Sequence, residues 1–175
     1  MRGSIGSVGI ALLALNAAVV VEGQEAAGKY LLLAAERTAT MQREIDDAAA
    51  RGFRVFGASP NGDSEAVFLL EKSSGKYQYR LLAATRTGTL QREISEAAAE
   101  GYHIVPRAVA RKGDELLVLM EKDPEGPARS QYRVLATERT GTLQKEITQA
   151  SNDGFTLIAV ARTGEHIAIL ERHAP

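Results

Sequence analysis

The sequence predicts an α+β fold of three tandem βαββ repeats, in which each antiparallel three-stranded sheet carries one helix. The first observation is an internal repeat, because the 23-residue segments that begin at Tyr30, Tyr79 and Tyr132 are identical at eleven positions. The second observation is the hydrophobic period. In each copy a short apolar run gives way to helical spacing, and then to two apolar runs joined by a turn.

The second copy illustrates how each element is predicted. Residues 79–84 form a short, bounded apolar run, which favours a strand that is covered on both faces. Apolar residues then recur at helical spacing over residues 90–98, with charged residues on the opposite side. We expect Thr87 or Thr89 to cap this helix at its start and Gly101 to end it in the left-handed conformation.

The segment after the helix predicts a β-hairpin with its turn at residues 112–114. Its last run, residues 116–120, is uniformly apolar, as are residues 67–70 and 167–170 in the other copies. Such runs are typical of a central strand, so we place the third strand between the first and second, antiparallel to both. One helix covers one face of a sheet. We therefore expect the three sheets to pack around a pseudo-threefold axis with the helices outside. A solenoid-like row or a continuous sheet is the alternative.

The repeats define the domain organisation. Residues 1–28 form a signal peptide and short leader, and the three repeats span residues 29–72, 78–122 and 131–172. The segments between the repeats are polar and rich in Gly, Ser and Pro, which is typical of linkers.

The N-terminus predicts export. Met1 and Arg2 precede an uncharged apolar run over residues 9–21, which suits a signal peptide and is shorter than the ~20 residues of a membrane span. We expect cleavage near Gly23 or Gly28 and a periplasmic or extracellular mature protein without a transmembrane span. An uncleaved N-terminal anchor or an expression leader is the alternative.

Composition and missing motifs argue against several classes of function. The balance of 21 Lys+Arg against 22 Asp+Glu, with nine Phe+Tyr, argues against nucleic-acid binding. The absence of Cys excludes disulfides, thiolate catalysis and Cys-ligated metals. Because the chain also lacks a zinc-binding helix motif, a nucleophile elbow and a phosphate loop, we predict a non-enzymatic protein without metal or cofactor. An enzyme with its site in the second repeat, which contains His103 and Arg107, is the alternative.

An Arg-Thr-x-Thr motif precedes each predicted helix. Free N–H groups and a partial positive charge at a helix start favour anions, so the motif is a candidate anion site. Its candidate ligand residues are Arg37, Thr40, Arg86, Thr89, Arg139 and Thr142. We favour a structural role, because the expected strand order brings each arginine beside a glutamate. The predicted ion pairs are Arg37 with Glu65, Arg86 with Glu115, and Arg139 with Glu165.

The three repeats resemble the small bacterial proteins grouped as domain of unknown function 4177. In the second repeat the resemblance rests on residues 79–82, 90–94, 101–102 and 118–122. This chain departs from that pattern at Phe53, Tyr102 and Phe155, where a tryptophan often follows the glycine. The resemblance implies the fold and supplies no activity. We therefore expect an exported, non-enzymatic binding or scaffold protein of the bacterial cell envelope, with another envelope protein as its partner.

Overall fold

A computed structural model describes residues 28–126 and 130–173, and the predicted signal peptide lies outside these residues. The described residues form three α-helices and three largely antiparallel sheets of three or four strands, which confirms the α+β class. Within this part of the chain, the helices fall short of the length and apolar character that a bilayer crossing requires.

We call residues 29–72, 78–122 and 131–172 unit 1, unit 2 and unit 3. The elements in chain order are β1 (Tyr30–Ala35), α1 (Thr38–Ala50), β2 (Phe53–Ala58), β3 (Asn61–Gly62), β4 (Ala66–Lys72), β5 (Gln78–Ala84), α2 (Thr87–Ala99), β6 (His103–Lys112), β7 (Glu115–Lys122), β8 (Ser130–Thr137), α3 (Thr140–Asn152), β9 (Thr156–Arg162) and β10 (His166–His173).

The last strand of each unit is the central one, as predicted. The strand orders are β1-β4-β2, β5-β7-β6 and β8-β10-β9, and neighbours within each unit are antiparallel. The sequence did not predict the short strand β3. This strand belongs to unit 1 in the chain but pairs in parallel with β6 of unit 2. The register sets a tyrosine opposite a glutamate in each sheet: Tyr30 opposite Glu71, Tyr79 opposite Glu121, and Tyr132 opposite Glu171.

The helix ends follow the sequence more closely than the helix starts. The glycine after each helix has a positive φ, 91° at Gly101, as expected for a left-handed terminus. The prediction that Thr87 or Thr89 caps α2 is wrong. Arg86 occupies the cap position with extended backbone angles, so both threonines already lie inside the helix, and the Arg86 side chain makes no capping hydrogen bond.

The hydrophobic cores cross the boundaries between units. Met41 and Ile45 of α1 belong to one core with Leu81 and Leu119 of unit 2, and α2 shares a second core with unit 3 in the same way. Each of these helices therefore contacts its own sheet and the sheet of the next unit. Among the described residues, no element of unit 1 packs extensively against unit 3. The pseudo-threefold arrangement is not confirmed. The described units contact one another in chain order, unit 1 with unit 2 and unit 2 with unit 3, and we call this order of units the row.

Candidate functional site

Glu121, at the end of β7, is a charged side chain that the fold buries, with 1% of its surface exposed. Its carboxylate accepts a hydrogen bond from the Arg54 guanidinium (Nη2 to Oε1, 2.6 Å) and another from the Tyr79 hydroxyl (Oη to Oε2, 2.7 Å). Arg54 lies on β2, so this charge-assisted contact joins unit 1 to unit 2. We call Arg54, Tyr79, His103, Glu121 and Asp123 the Glu121 cluster.

Tyr79 is a structural hydrogen-bond donor in this cluster. Its hydroxyl accepts a hydrogen bond from the backbone N–H of Val55 in unit 1 (2.9 Å) and donates to Glu121. Burial, and then the hydrogen bond to Glu121, raise the pKa of Tyr79 well above its ordinary value. The hydroxyl therefore keeps its proton at neutral pH.

His103 lies beside the same carboxylate. Its Nε2 is 3.6 Å from Oε1 of Glu121 and its Nδ1 is 3.6 Å from Oδ2 of Asp123, and both distances are too long for hydrogen bonds. Nδ1 is buried without a hydrogen-bond partner. His103 and Arg107 line one cavity of about 300 Å³, together with Arg54 and Glu121. The structure thus brings together the two residues that the sequence offered for an enzyme site in the second repeat.

The cluster fits a metal ion poorly. His103, Glu121 and Asp123 can bring ligand atoms within 4.8 Å of one another. Both Glu121 oxygens, however, already accept hydrogen bonds from Arg54 and Tyr79. The guanidinium also places a positive charge where a cation would bind. The arrangement therefore neutralises Glu121 within the protein and leaves Asp123 as the carboxylate of the cluster that makes no hydrogen bond among the described residues.

The same tyrosine contact occurs between units 2 and 3. The Tyr132 hydroxyl accepts a hydrogen bond from the backbone N–H of Ile104 (3.0 Å) and donates to Glu171 (2.8 Å). Burial is the largest cause that raises the pKa of Tyr132, as it is for Tyr79. A tyrosine of each following unit thus reaches back to the second strand of the unit before it.

A glutamine on the helix completes each junction. In the first junction the Gln42 side chain donates to the carbonyl of Tyr79 (3.1 Å) and accepts from the backbone N–H of Leu81 (2.6 Å). Gln91 makes the matching contacts with Tyr132 (3.0 Å) and Val134 (2.7 Å) in the second junction. Each amide therefore satisfies two backbone groups of the next unit's first strand, which fixes the register between units.

The arginines of the Arg-Thr-x-Thr motif do not form the predicted ion pairs. Arg37, Arg86 and Arg139 are exposed, one at the start of each helix. None lies within ion-pair distance of Glu65, Glu115 or Glu165, the glutamates assigned to them. Glu115 instead pairs with Lys112 (3.1 Å), because the hairpin turn brings that lysine closer. Thr40 and Thr89 are half-buried and Thr142 is exposed, and these six residues do not converge on one site.

The junction residues were visible in the sequence without being assigned this role. Tyrosine, glutamine and glutamate occur at the same positions in all three repeats, for example Tyr79, Gln91 and Glu121 in the second. Sequence reasoning included these residues in the repeat and in the family resemblance, and it assigned none of them a contact between units. The signal that could have identified them is the identity of these three polar side chains in every copy. Positions at a strand end or on a helix surface usually tolerate many residues.

Comparison with models of known protein families, with curated proteins and with solved structures finds no match to this chain. The resemblance to domain of unknown function 4177 therefore stays a prediction, and function has to be inferred from the geometry of the described residues.

Proposed function

We propose that this protein is an exported, non-enzymatic binding or structural protein of the bacterial cell envelope, and that it acts through protein-binding surfaces. The observation that carries the proposal is the exposure of large apolar side chains at both ends of the row. Tyr30 (54% exposed) and Leu32 (64%) lie on unit 1, and Leu157 (44%) and Val160 (68%) lie on unit 3. Exposed apolar residues grouped on one surface are typical of interaction sites.

The use of the polar side chains supports the same proposal. An enzyme needs an acid, a base or a nucleophile that is free to meet a substrate. In the Glu121 cluster the carboxylate and the Tyr79 hydroxyl are engaged in hydrogen bonds between units. These groups hold unit 1 and unit 2 together, so their role is structural.

Site-specific photo-cross-linking in growing cells tests the proposal. A photoreactive amino acid at Leu32 or at Val160 should give adducts with protein in the envelope fraction. The matched control is Gln149, which is exposed on α3. The equivalent residues of units 1 and 2, Asp47 and Glu96, remain exposed although another unit packs against each of those helices. Absence of protein adducts from both apolar positions would contradict the proposal, and recovery of the protein in the cytoplasm with Met1 intact would contradict export.

A small-ligand site in unit 2 is the second candidate. The observation that favours it is the partnerless Nδ1 of His103 beside the cavity that Arg54 and Arg107 also line. Arg54 is bound to Glu121, so the Arg107 guanidinium is the group in this cavity that favours a small anion with an acceptor oxygen. Phosphate should then raise the melting temperature of the wild type and leave that of the His103→Gln variant unchanged. Equal responses of the two proteins would remove this candidate.

A further inference from the structure

We propose that the end face of unit 3 binds the start face of unit 1 in a second copy of this chain, so that the protein assembles head to tail. The start face is defined by Tyr30, Leu32 and Glu71, and the end face by Gln144, Leu157 and Val160. The inference rests on the proposed function, since it names the partner of the exposed apolar surfaces. Both faces carry residues equivalent to those that form the two junctions already present within the chain.

The two internal junctions use one set of contacts in one order. A helix glutamine, Gln42 or Gln91, binds the backbone of the next unit's first strand. A backbone N–H of the second strand, at Val55 or Ile104, donates to the next unit's tyrosine. That tyrosine donates in turn to a glutamate of its own unit. Two independent occurrences show that the junction is a property of the units.

The start face of unit 1 carries the incoming half of this junction. Tyr30 and Leu32 occupy the positions of Tyr79 and Leu81, since the strand pairing sets Tyr30 opposite Glu71 and Leu32 opposite Leu69. Tyr79 and Leu81 are buried against unit 1, whereas Tyr30 and Leu32 are more than half exposed. Unit 1 therefore displays a tyrosine, an apolar side chain and a strand backbone arranged for a unit that the described residues do not supply.

The end face of unit 3 carries the receiving half. Leu157 pairs with Leu170 as Val55 pairs with Leu70, so these residues are equivalent. Val55 is 4% exposed beneath unit 2, and Leu157 is 44% exposed. Gln144 lies one residue after Leu143, as Gln42 follows Met41, and its side chain bonds within α3 to Thr148.

Leu143 and Ile147 of α3 show the same incomplete burial in the core. The corresponding side chains of α1, Met41 and Ile45, are fully buried, because the sheet of unit 2 covers them. Leu143 and Ile147 are partly exposed, although Ala150 at the far end of the same helix is fully buried by unit 3 alone. The end face thus lacks the part of the core that a following unit contributes.

By this equivalence of positions, a second copy would place its Tyr30 hydroxyl at the N–H of Leu157 and its first strand along Gln144. The junction between units 2 and 3 is the closer template for this contact. Unit 3 has Thr156 at the position of Arg54, so its end face does not offer the arginine of the first junction. Start and end faces differ, so the contact is heterologous. Such contacts close into a ring or continue as a filament, depending on the rotation between copies.

Sedimentation velocity of the purified protein, in the form that the cell produces, tests the proposal over a wide range of concentration. We expect species larger than the monomer that grow with concentration. Leu32→Arg, on the start face, and Val160→Arg, on the end face, should each yield monomers. Gln149→Arg is the matched control, and it should assemble as the wild type does.

Mixing the two monomeric variants is the decisive arm. Leu32→Arg retains an intact end face and Val160→Arg retains an intact start face, so one junction can form between them. The mixture should give a dimer and nothing larger. Tyr30→Phe should weaken wild-type assembly by about tenfold or less, because it removes one hydrogen bond and keeps the apolar contact.

Each alternative occupant has its own outcome. A wild type that stays monomeric at every concentration overturns self-association. Loss of assembly in Leu32→Arg alone indicates two start faces in contact and overturns the head-to-tail arrangement. The purified protein could retain residues 1–27 and assemble only after they are removed. That result would show that this segment covers one of the two faces, and it would overturn the proposal for the protein that retains the segment. Envelope adducts at Leu32 with a different protein, alongside a monomeric pure chain, overturn this inference and leave the proposed function standing.

Discussion

Replacing Arg54 by leucine tests whether Glu121 holds the first two units together. The Arg54→Leu change removes the cation that donates to both carboxylate oxygens of Glu121, a residue that is 1% exposed beside Arg54. Removing one partner of a buried ion pair costs about 3–5 kcal/mol. The Arg54 side chain is itself 40% exposed, and water screens its charge, so we expect the free energy of unfolding to fall by about 2–3 kcal/mol.

Urea denaturation of the wild type and four variants, namely Arg54→Leu, Glu121→Gln, their double variant and Arg80→Leu, checks this expectation. The control is Arg80→Leu, because Arg80 forms a similar ion pair with Glu100 at the surface, where the pKa of Glu100 is lowered by the Arg80 hydrogen bond. Its loss should be clearly smaller than that of Arg54→Leu. Adding Glu121→Gln to Arg54→Leu removes the buried charge, so the two changes should be non-additive by about 1 kcal/mol or more. Equal losses in Arg54→Leu and Arg80→Leu, or strict additivity, would show that Glu121 does not depend on Arg54.

Three further outcomes are expected. Gly57→Ala should lower stability by about 1–3 kcal/mol in urea, because the added Cβ would lie 2.9 Å from the Arg107 carbonyl oxygen of unit 2. Gly88→Ala should raise stability by about 0.5–1 kcal/mol, since the added Cβ meets no atom within 4 Å and the first helix has alanine there. Folding raises the pKa of Tyr79 and Tyr132 above 10.0, so the stability that they supply is complete below pH 10 and is lost as the pH rises. Each should contribute a slope of up to about 1.4 kcal/mol per pH unit in alkaline unfolding, and phenylalanine at both positions should flatten that slope.

The sequence predicted several features that depend on local chemistry, although the threonine cap of α2 was not among them. The hairpin turn, the glycine after each helix and the central position of the apolar third strand follow from residue types within a few positions of one another. The prediction of an Arg86–Glu115 ion pair is wrong, because Glu115 pairs with the nearest cation and Lys112 of the turn lies closer. The Glu121–Arg54 contact spans 67 positions between different units, so no local pattern indicates it.

The tyrosine that begins the first strand of each unit shows why the packing of units could not be predicted from the sequence. Tyr30, Tyr79 and Tyr132 begin equivalent strands, yet Tyr79 and Tyr132 are buried and Tyr30 is exposed. The difference does not reside in the tyrosines or in their own units. It arises because each of the two buried tyrosines follows another unit, whose second strand supplies an N–H donor and whose helix supplies a glutamine. The repeated sequence therefore places the same tyrosine at the start of every copy, and the presence of a preceding unit among the described residues decides whether that tyrosine is buried.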